Sequence, residues 1–175
     1  MNAPQPIRDA IRDIHDFPKP GIVFKDITPI LTDPDLLKLS ITLLADTAGA
    51  HHVDKVVGID ARGFIFGAAV AERLHAGFVP LRKAGKLPYQ TNSTKYALEY
   101  GEAEIEIHTD AIAHGEDVLL IDDLLATGGT AAAAVALIEN LGGNLIAASF
   151  LIELAFLNGR EKLPSDLPVH GIVDY

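Results

Sequence analysis

The chain has 175 residues, 49% of them apolar, and carries 14 Lys plus Arg against 24 Asp plus Glu, a formal charge of −10. That length reads as one domain, residues 1–175, with a sizeable core, and so acidic a balance makes a poor generic binder of nucleic acid, whose phosphates demand cations. There is no cysteine, which excludes disulfides and thiolate metal sites, and no run of apolar residues long enough to span a bilayer.

Met1-Asn2-Ala3-Pro4-Gln5-Pro6 lacks the charged-then-apolar pattern of a secretory leader, so the expected compartment is the cytoplasm. Ile7, Ile11 and Ile14 recur at helical spacing among Arg8, Asp9, Arg12 and Asp13 and predict an amphipathic helix. Phe17-Pro18-Lys19-Pro20-Gly21 ends it, because proline lacks a donor and restricts its neighbour. Residues 21–26 are a short extended piece. Thr32-Asp33-Pro34 reads as a cap with proline at the helix start, and the helix runs to about Ala48. Residues 55–60 form an apolar strand, 63–75 a helix stopped near Gly77, and 78–82 another strand. Residues 84–94 mix glycine, proline and polar side chains without a period and predict a mobile loop. Residues 96–107 alternate near their end, with Glu102, Glu104 and Glu106 against Ala103, Ile105 and Ile107, which predicts a half-exposed antiparallel strand. Residues 118–122 read as a buried strand, 130–141 as a helix and 144–152 as a strand, before a turn-rich tail ending in 169–175.

This alternation predicts an α/β fold, a mostly parallel twisted sheet flanked by helices. The core spans about 32–153. Segments 1–31 and 154–175 stand outside the alternation and are expected to form a small hood over the C-terminal strand edge, where open α/β sheets bind ligands.

The most informative stretch is Val118-Leu119-Leu120-Ile121-Asp122-Asp123-Leu124-Leu125-Ala126-Thr127-Gly128-Gly129-Thr130. Two carboxylates end an apolar strand, a glycine turn follows, and an Ala-rich helix begins. Glycines let backbone N–H groups close on a phosphate, and a helix N-terminus adds a positive dipole end. Carboxylates repel that phosphate but suit hydroxyl groups or a divalent cation beside it. The ligand so described has a phosphate at one end and hydroxyls next to it, as a 5-phosphorylated ribose does. An ordinary strand-turn-helix crossover would share the turn but not the paired carboxylates.

Three further clusters carry charge. Gly58-Ile59-Asp60-Ala61-Arg62-Gly63 imitates the glycine spacing of a P-loop, but Phe64 stands where the lysine would be. It leaves a strand-end loop whose Arg62 suits phosphate oxygens or, alternatively, pairs with Asp60 to close the loop. Arg82-Lys83-Ala84-Gly85-Lys86-Leu87-Pro88 is either a solvated surface or a flap able to close over an anion. His51-His52 is a solvated pair, because neighbouring side chains diverge and no third ligand is near in sequence.

Together these segments resemble the type I phosphoribosyltransferases, and the spelling Asp-Asp-Leu-Leu-Ala-Thr-Gly-Gly-Thr is similar to the members that use adenine. The resemblance extends from Phe17 to about Leu163. It implies that adenine and 5-phosphoribosyl 1-diphosphate give AMP and diphosphate, a purine-salvage reaction, with Mg²⁺ held mainly by substrate and water rather than by the protein. It implies that Asp122 and Asp123 engage the ribose hydroxyls, and that Ala126, Thr127, Gly128, Gly129 and Thr130 bind the 5-phosphate. It implies that Arg62, Arg82, Lys83 and Lys86 hold the diphosphate, and that a cis peptide joins Asp60 and Ala61. Residues 84–94 become a catalytic flap, Glu99 of Leu98-Glu99-Tyr100-Gly101 the group exchanging a proton with the purine, and Tyr100 its neighbour near the reacting atoms. Gly21-Ile22-Val23-Phe24-Lys25-Asp26-Ile27 resembles the base-binding segment: Phe24 stacks on adenine, the backbone around Val23 and Lys25 meets its edge, and Leu154 covers the other face. From the residues alone, core packing is the better-supported account of both Phe24 and Leu154, and many relatives carry Arg where this chain has Lys25. A homodimer is implied too. The rival expectations are a transferase for hypoxanthine, guanine or xanthine, and a non-catalytic regulator sensing the same ligand. The second would need a DNA-binding part, and no basic helix-turn-helix is visible. An ATPase would need a Walker A loop, and none exists.

Overall fold

The order of apolar and polar residues in each strand decides the architecture, a computed structural model that describes residues 4–98 and 101–175. Val118, Leu119, Leu120 and Ile121 are fully buried because their strand, β7 (Asp117–Leu125), lies between β3 (Lys55–Ile59) and β8 (Asn144–Glu153) with helices on both faces. Successive side chains point to opposite faces of a strand. Leu120 therefore joins one core with Ala134, Val135 and Ile138 of α5 (Gly129–Asn140). Leu119 and Ile121 join the other with Leu44 of α3 (Pro34–Asp46) and Phe66 and Val70 of α4 (Gly63–Leu74).

β3, β4 (Gly77–Lys83), β7, β8 and β9 (Val169–Asp174) run parallel to one another. β5 (Thr91–Leu98) and β6 (Gly101–His108) form an antiparallel arm attached through β4. Among the described residues the main sheet has seven strands, in the order β5-β6-β4-β3-β7-β8-β9. The mostly parallel α/β sheet expected from the alternation is therefore what forms.

Several boundaries differ from the expectations. The first helix, α1 (Gln5–Ala10), buries Ile7 but stops before Ile11. Arg12–His15 is instead strand β1, paired antiparallel with β2 (Val23–Asp26) in a separate two-stranded sheet. Cross-strand ion pairs Arg12–Asp26 and Lys25–Asp13, both at 2.7 Å, favour this ribbon over a longer helix. A short helix, α2 (Thr28–Thr32), precedes the capped one, where the Asp33 carboxylate accepts N–H bonds from Asp35 and Leu36 at 2.9 and 3.0 Å, as the sequence implies. α4 ends on His75 in the left-handed region, and Gly77 already belongs to β4. Regular strand begins at Thr91 inside the expected loop 84–94. The tail contributes the edge strand β9, so residues 169–174 lie in the main sheet rather than in a hood spanning 154–175. What caps the edge from this side is two 3₁₀ turns, Ala155–Leu157 and Gly159–Lys162.

Candidate functional site at the C-terminal strand edge

Because β3, β4, β7 and β8 are parallel, their C-terminal ends deliver Asp60, Lys83, residues 122–130 and Leu154 to one edge. This is the side on which open α/β sheets bind ligands.

β7 stays paired with β8 as far as Leu125, so Asp122 and Asp123 lie within regular strand rather than at its end. Asp122 Oδ1 accepts the N–H of Asp123 at 2.8 Å. A methyl group on Gly63 would stand 2.7 Å from that oxygen, so glycine at the start of α4 leaves space for the carboxylate. Asp123 is only 6% exposed and receives Arg62 Nε at 2.8 Å. Burial pushes the Asp122 carboxyl well above the usual range, and the neighbouring Asp123 charge adds to this. Burial also raises Asp123, with the Arg62 guanidinium pulling the other way.

Residues 126–130 follow as a concave loop ending in the first turn of α5, with Leu124, Thr127, Gly129 and Thr130 among its walls. Gly128 caps the helix at φ +77°, a left-handed backbone that only glycine adopts without strain. Its backbone lies directly against Gly159: a side chain on either glycine would overlap the other segment's backbone. Gly159 therefore shapes the 126–130 loop from 31 residues away. Nothing local in the sequence around it marks that role.

Asp60 and Ala61 are joined by a cis peptide bond, where the resemblance puts it. The Asp60–Arg62 closure does not form. Asp60 instead accepts from Arg82 Nε at 3.1 Å, and Arg82 Nη1 reaches the Lys86 carbonyl at 3.3 Å. Arg82 is thus engaged in tying two loops together, while Lys83 and Lys86 are exposed. Glu106, expected on a half-exposed face, is 5% exposed and accepts the N–H groups of Lys86 and Leu87. Burial alone would raise its carboxyl, but the N–H donors of Leu87, Gly85 and Lys86 outweigh it and hold the pKa below the ordinary value.

Val23, Phe24, Lys25 and Leu154 line one apolar cavity, together with Leu124, Ala126 and Thr127. Leu157, unmarked in the sequence, closes it. The Phe24 ring has Arg62 5.1 Å from its centroid and Phe17 edge-on at 5.2 Å. The Lys25 ammonium is engaged by Asp13 and lies 3.7 Å over the Tyr175 ring. Glu99 and Tyr100 lie outside the described residues. His52 contacts Asp54 at 3.2 Å, and among the described residues no cluster of three His, Cys, Asp or Glu could cage a metal ion.

The phosphoribosyl transferase domain family matches residues 27–170. An adenine phosphoribosyltransferase of Nitrosococcus oceani is 55% identical over 97% of this chain and 98% of its own length. The solved adenine phosphoribosyltransferase of Rhodothermus marinus superimposes with a TM-score of 0.94 at 51% identity, over 99% of this chain and 98% of that one. The Saccharomyces cerevisiae enzyme, complexed with an imino-altritol bisphosphate and adenine, gives 0.92 at 41% identity over 97% and 98% of the two chains.

Proposed function

The chain belongs to the phosphoribosyltransferase family, and from that membership we infer that it joins adenine to 5-phosphoribosyl 1-diphosphate, giving AMP and diphosphate in purine salvage. The adenine assignment rests on the relatives, and the observation in the structure that supports joining a base to a phosphorylated sugar is a shared wall. Ala126 and Thr127 line both the phosphate loop and the apolar cavity of Val23, Phe24 and Leu154, so a planar base and a phosphorylated sugar fit side by side.

In this reading the bond from the anomeric carbon to the diphosphate oxygen breaks, and the purine nitrogen takes its place. Residues 126–130 anchor the 5-phosphate through backbone N–H groups and the α5 N-terminus. Asp122 and Asp123 hold the ribose hydroxyls and face the positive charge that develops on the sugar. Lys83 and Lys86 neutralise the departing diphosphate; Arg62 joins them once released from Asp123, and Arg82 supports them from Asp60. Phe24 and Leu154 sandwich the base, the backbone at Val23 and Lys25 meets its edge, and Glu99 takes the proton of the attacking nitrogen. Tyr100 closes the site with the flap and keeps water from the sugar cation.

The donor set suits Mg²⁺. That ion takes one or two carboxylates plus phosphate oxygens and waters rather than an all-protein cage. Asp122 and Asp123 would hold it through water and the sugar oxygens, and it would neutralise diphosphate charge. A single domain over 1–175 and a cytoplasmic setting belong to the same proposal and rest on the chain's length and lack of cysteine, the homodimer on the family resemblance.

The test supplies adenine, hypoxanthine, guanine and xanthine separately with 5-phosphoribosyl 1-diphosphate and measures nucleotide and diphosphate release. Adenine alone is expected to react well. Preference for another base overturns the base assignment, and sugar binding without any turnover favours a sensor.

A further inference from the structure

The sequence places three glutamates at alternate positions on β6, and such a row ordinarily faces water. Glu106 does not. Opposite it in register stands Arg82 of β4, and the chain then turns through residues 84–90 before returning as β5. Glu106 Oε1 accepts two consecutive N–H groups of that turn, Lys86 at 2.9 Å and Leu87 at 2.8 Å. Its Oε2 receives the Thr91 hydroxyl at 3.3 Å. Gly85, at φ +79°, gives the turn the left-handed residue that brings successive N–H groups round to one side. The turn is thus a small anion-binding concavity, and a carboxylate of the protein fills it. On the other side, Arg82 holds the Lys86 carbonyl and the Asp60 carboxylate. Lys86 sits on this doubly held turn, and Lys83 ends the strand that leads into it.

We propose that Glu106 is a positioning residue for the diphosphate site: its carboxylate fixes the backbone of residues 84–90 so that Lys83 and Lys86 stay beside the Asp60–Arg62 loop. The proposal rests on the reading that these lysines hold the diphosphate. A buried, fully hydrogen-bonded carboxylate does this better than a hydroxyl or amide, because it accepts several bonds at once and its charge shortens and strengthens them. It also keeps the substrate's own phosphates out of the concavity, where they would lie away from the anomeric carbon.

The experiment measures KM for each substrate separately in Glu106→Ala, Glu106→Gln, Lys83→Ala and Lys86→Ala, with amide hydrogen exchange at Lys86 and Leu87. Glu106→Ala is expected to raise KM for the phosphoribosyl substrate by about tenfold while the KM for adenine stays within about twofold, since unpaired buried donors cost a factor of this order. Exchange at both amides should accelerate ahead of the core, and added formate should restore part of the lost affinity by refilling the concavity. Equal effects on both substrates, or an unchanged sugar KM where Lys86→Ala raises it, overturn the proposal. An unchanged sugar KM in Lys86→Ala and in Lys83→Ala overturns the reading of the lysines, and the proposal with it. Should Glu106→Ala not fold, Glu106→Gln decides. It keeps one acceptor and loses the charge, so the sugar KM alone should rise a few-fold, and no change overturns the proposal.

Discussion

Arg62 donates to Asp123 at 2.8 Å, so the cation proposed for the leaving diphosphate is paired with a carboxylate proposed for the ribose. The same guanidinium lies 5.1 Å from the centre of the Phe24 ring, in the cavity proposed for the base. One side chain therefore touches all three parts of the proposed ligand site. Arg62→Ala should lower kcat/KM by roughly 10²-fold or more, through loss of the diphosphate contact and because Asp123 becomes a buried charge without a partner. Steady-state kinetics with both substrates varied would check this, and a loss below about threefold would remove Arg62 from the site.

At Asp122 the role proposed for the carboxylate opposes stability. Its folded pKa is raised above the ordinary carboxylate value of 3.8. In the window above that value the folded chain binds more protons than the unfolded chain, so this group makes stability fall as pH rises. Asp122→Asn removes the penalty. The ligand-free variant should melt at a higher temperature than the parent near neutral pH, with the difference shrinking toward acid, while turnover is largely lost. A lower melting temperature at neutral pH would show that the carboxylate is not held at a cost.

Gly159 provides a test of long-range shaping. Gly159→Ala should displace residues 126–128, weaken AMP binding and destabilise the fold by about 1–3 kcal/mol, the usual range for forced overpacking. The base cavity's other walls are unaffected, so adenine-site contacts should change less than phosphate affinity. Titration calorimetry with AMP and with ribose 5-phosphate separates the two, and equal affinity to the parent for ribose 5-phosphate would contradict the expected shift.

Phe24 and Leu154 should behave differently although both line the base cavity. Leu154→Ala is expected to raise the KM for adenine alone. Phe24→Ala removes a stacking face worth about 0.5–1.5 kcal/mol and also a neighbour of Arg62, so both substrates should bind less well. If Phe24→Ala spares the sugar substrate, the contact with Arg62 has no functional weight.

Glu99→Gln is expected to keep AMP binding within a few-fold while turnover falls by roughly 10²-fold or more, the usual scale of general acid–base catalysis. Equal losses in binding and turnover would make Glu99 a positioning group instead. Chelation of divalent cations should stop turnover yet leave the melting temperature of the ligand-free protein unchanged, because the described residues contain no cage whose loss would matter. A melting shift on chelation would reveal a structural metal.

The sequence by itself determined the elements whose cause is local. Residues 118–130 carry their strand, carboxylates, glycine turn and helix in consecutive positions, and Asp33 caps a helix whose N–H groups lie two and three residues away. The alternation of such units was enough to specify a mostly parallel sheet and the edge at which the candidate site lies. Only the tertiary structure decided how distant residues pair. It placed Arg62 on Asp123 rather than on Asp60, gave Asp60 to Arg82, set Gly159 against Gly128, turned Arg12–His15 into a strand and brought Val169–Asp174 into the sheet. It also buried Glu106, whose alternation in the chain gives it the same appearance as Glu102 and Glu104. The reason is that periodicity reports which face a side chain shares with its own neighbours. What covers that face, and which charge finds which partner, depends on the segment that packs across it.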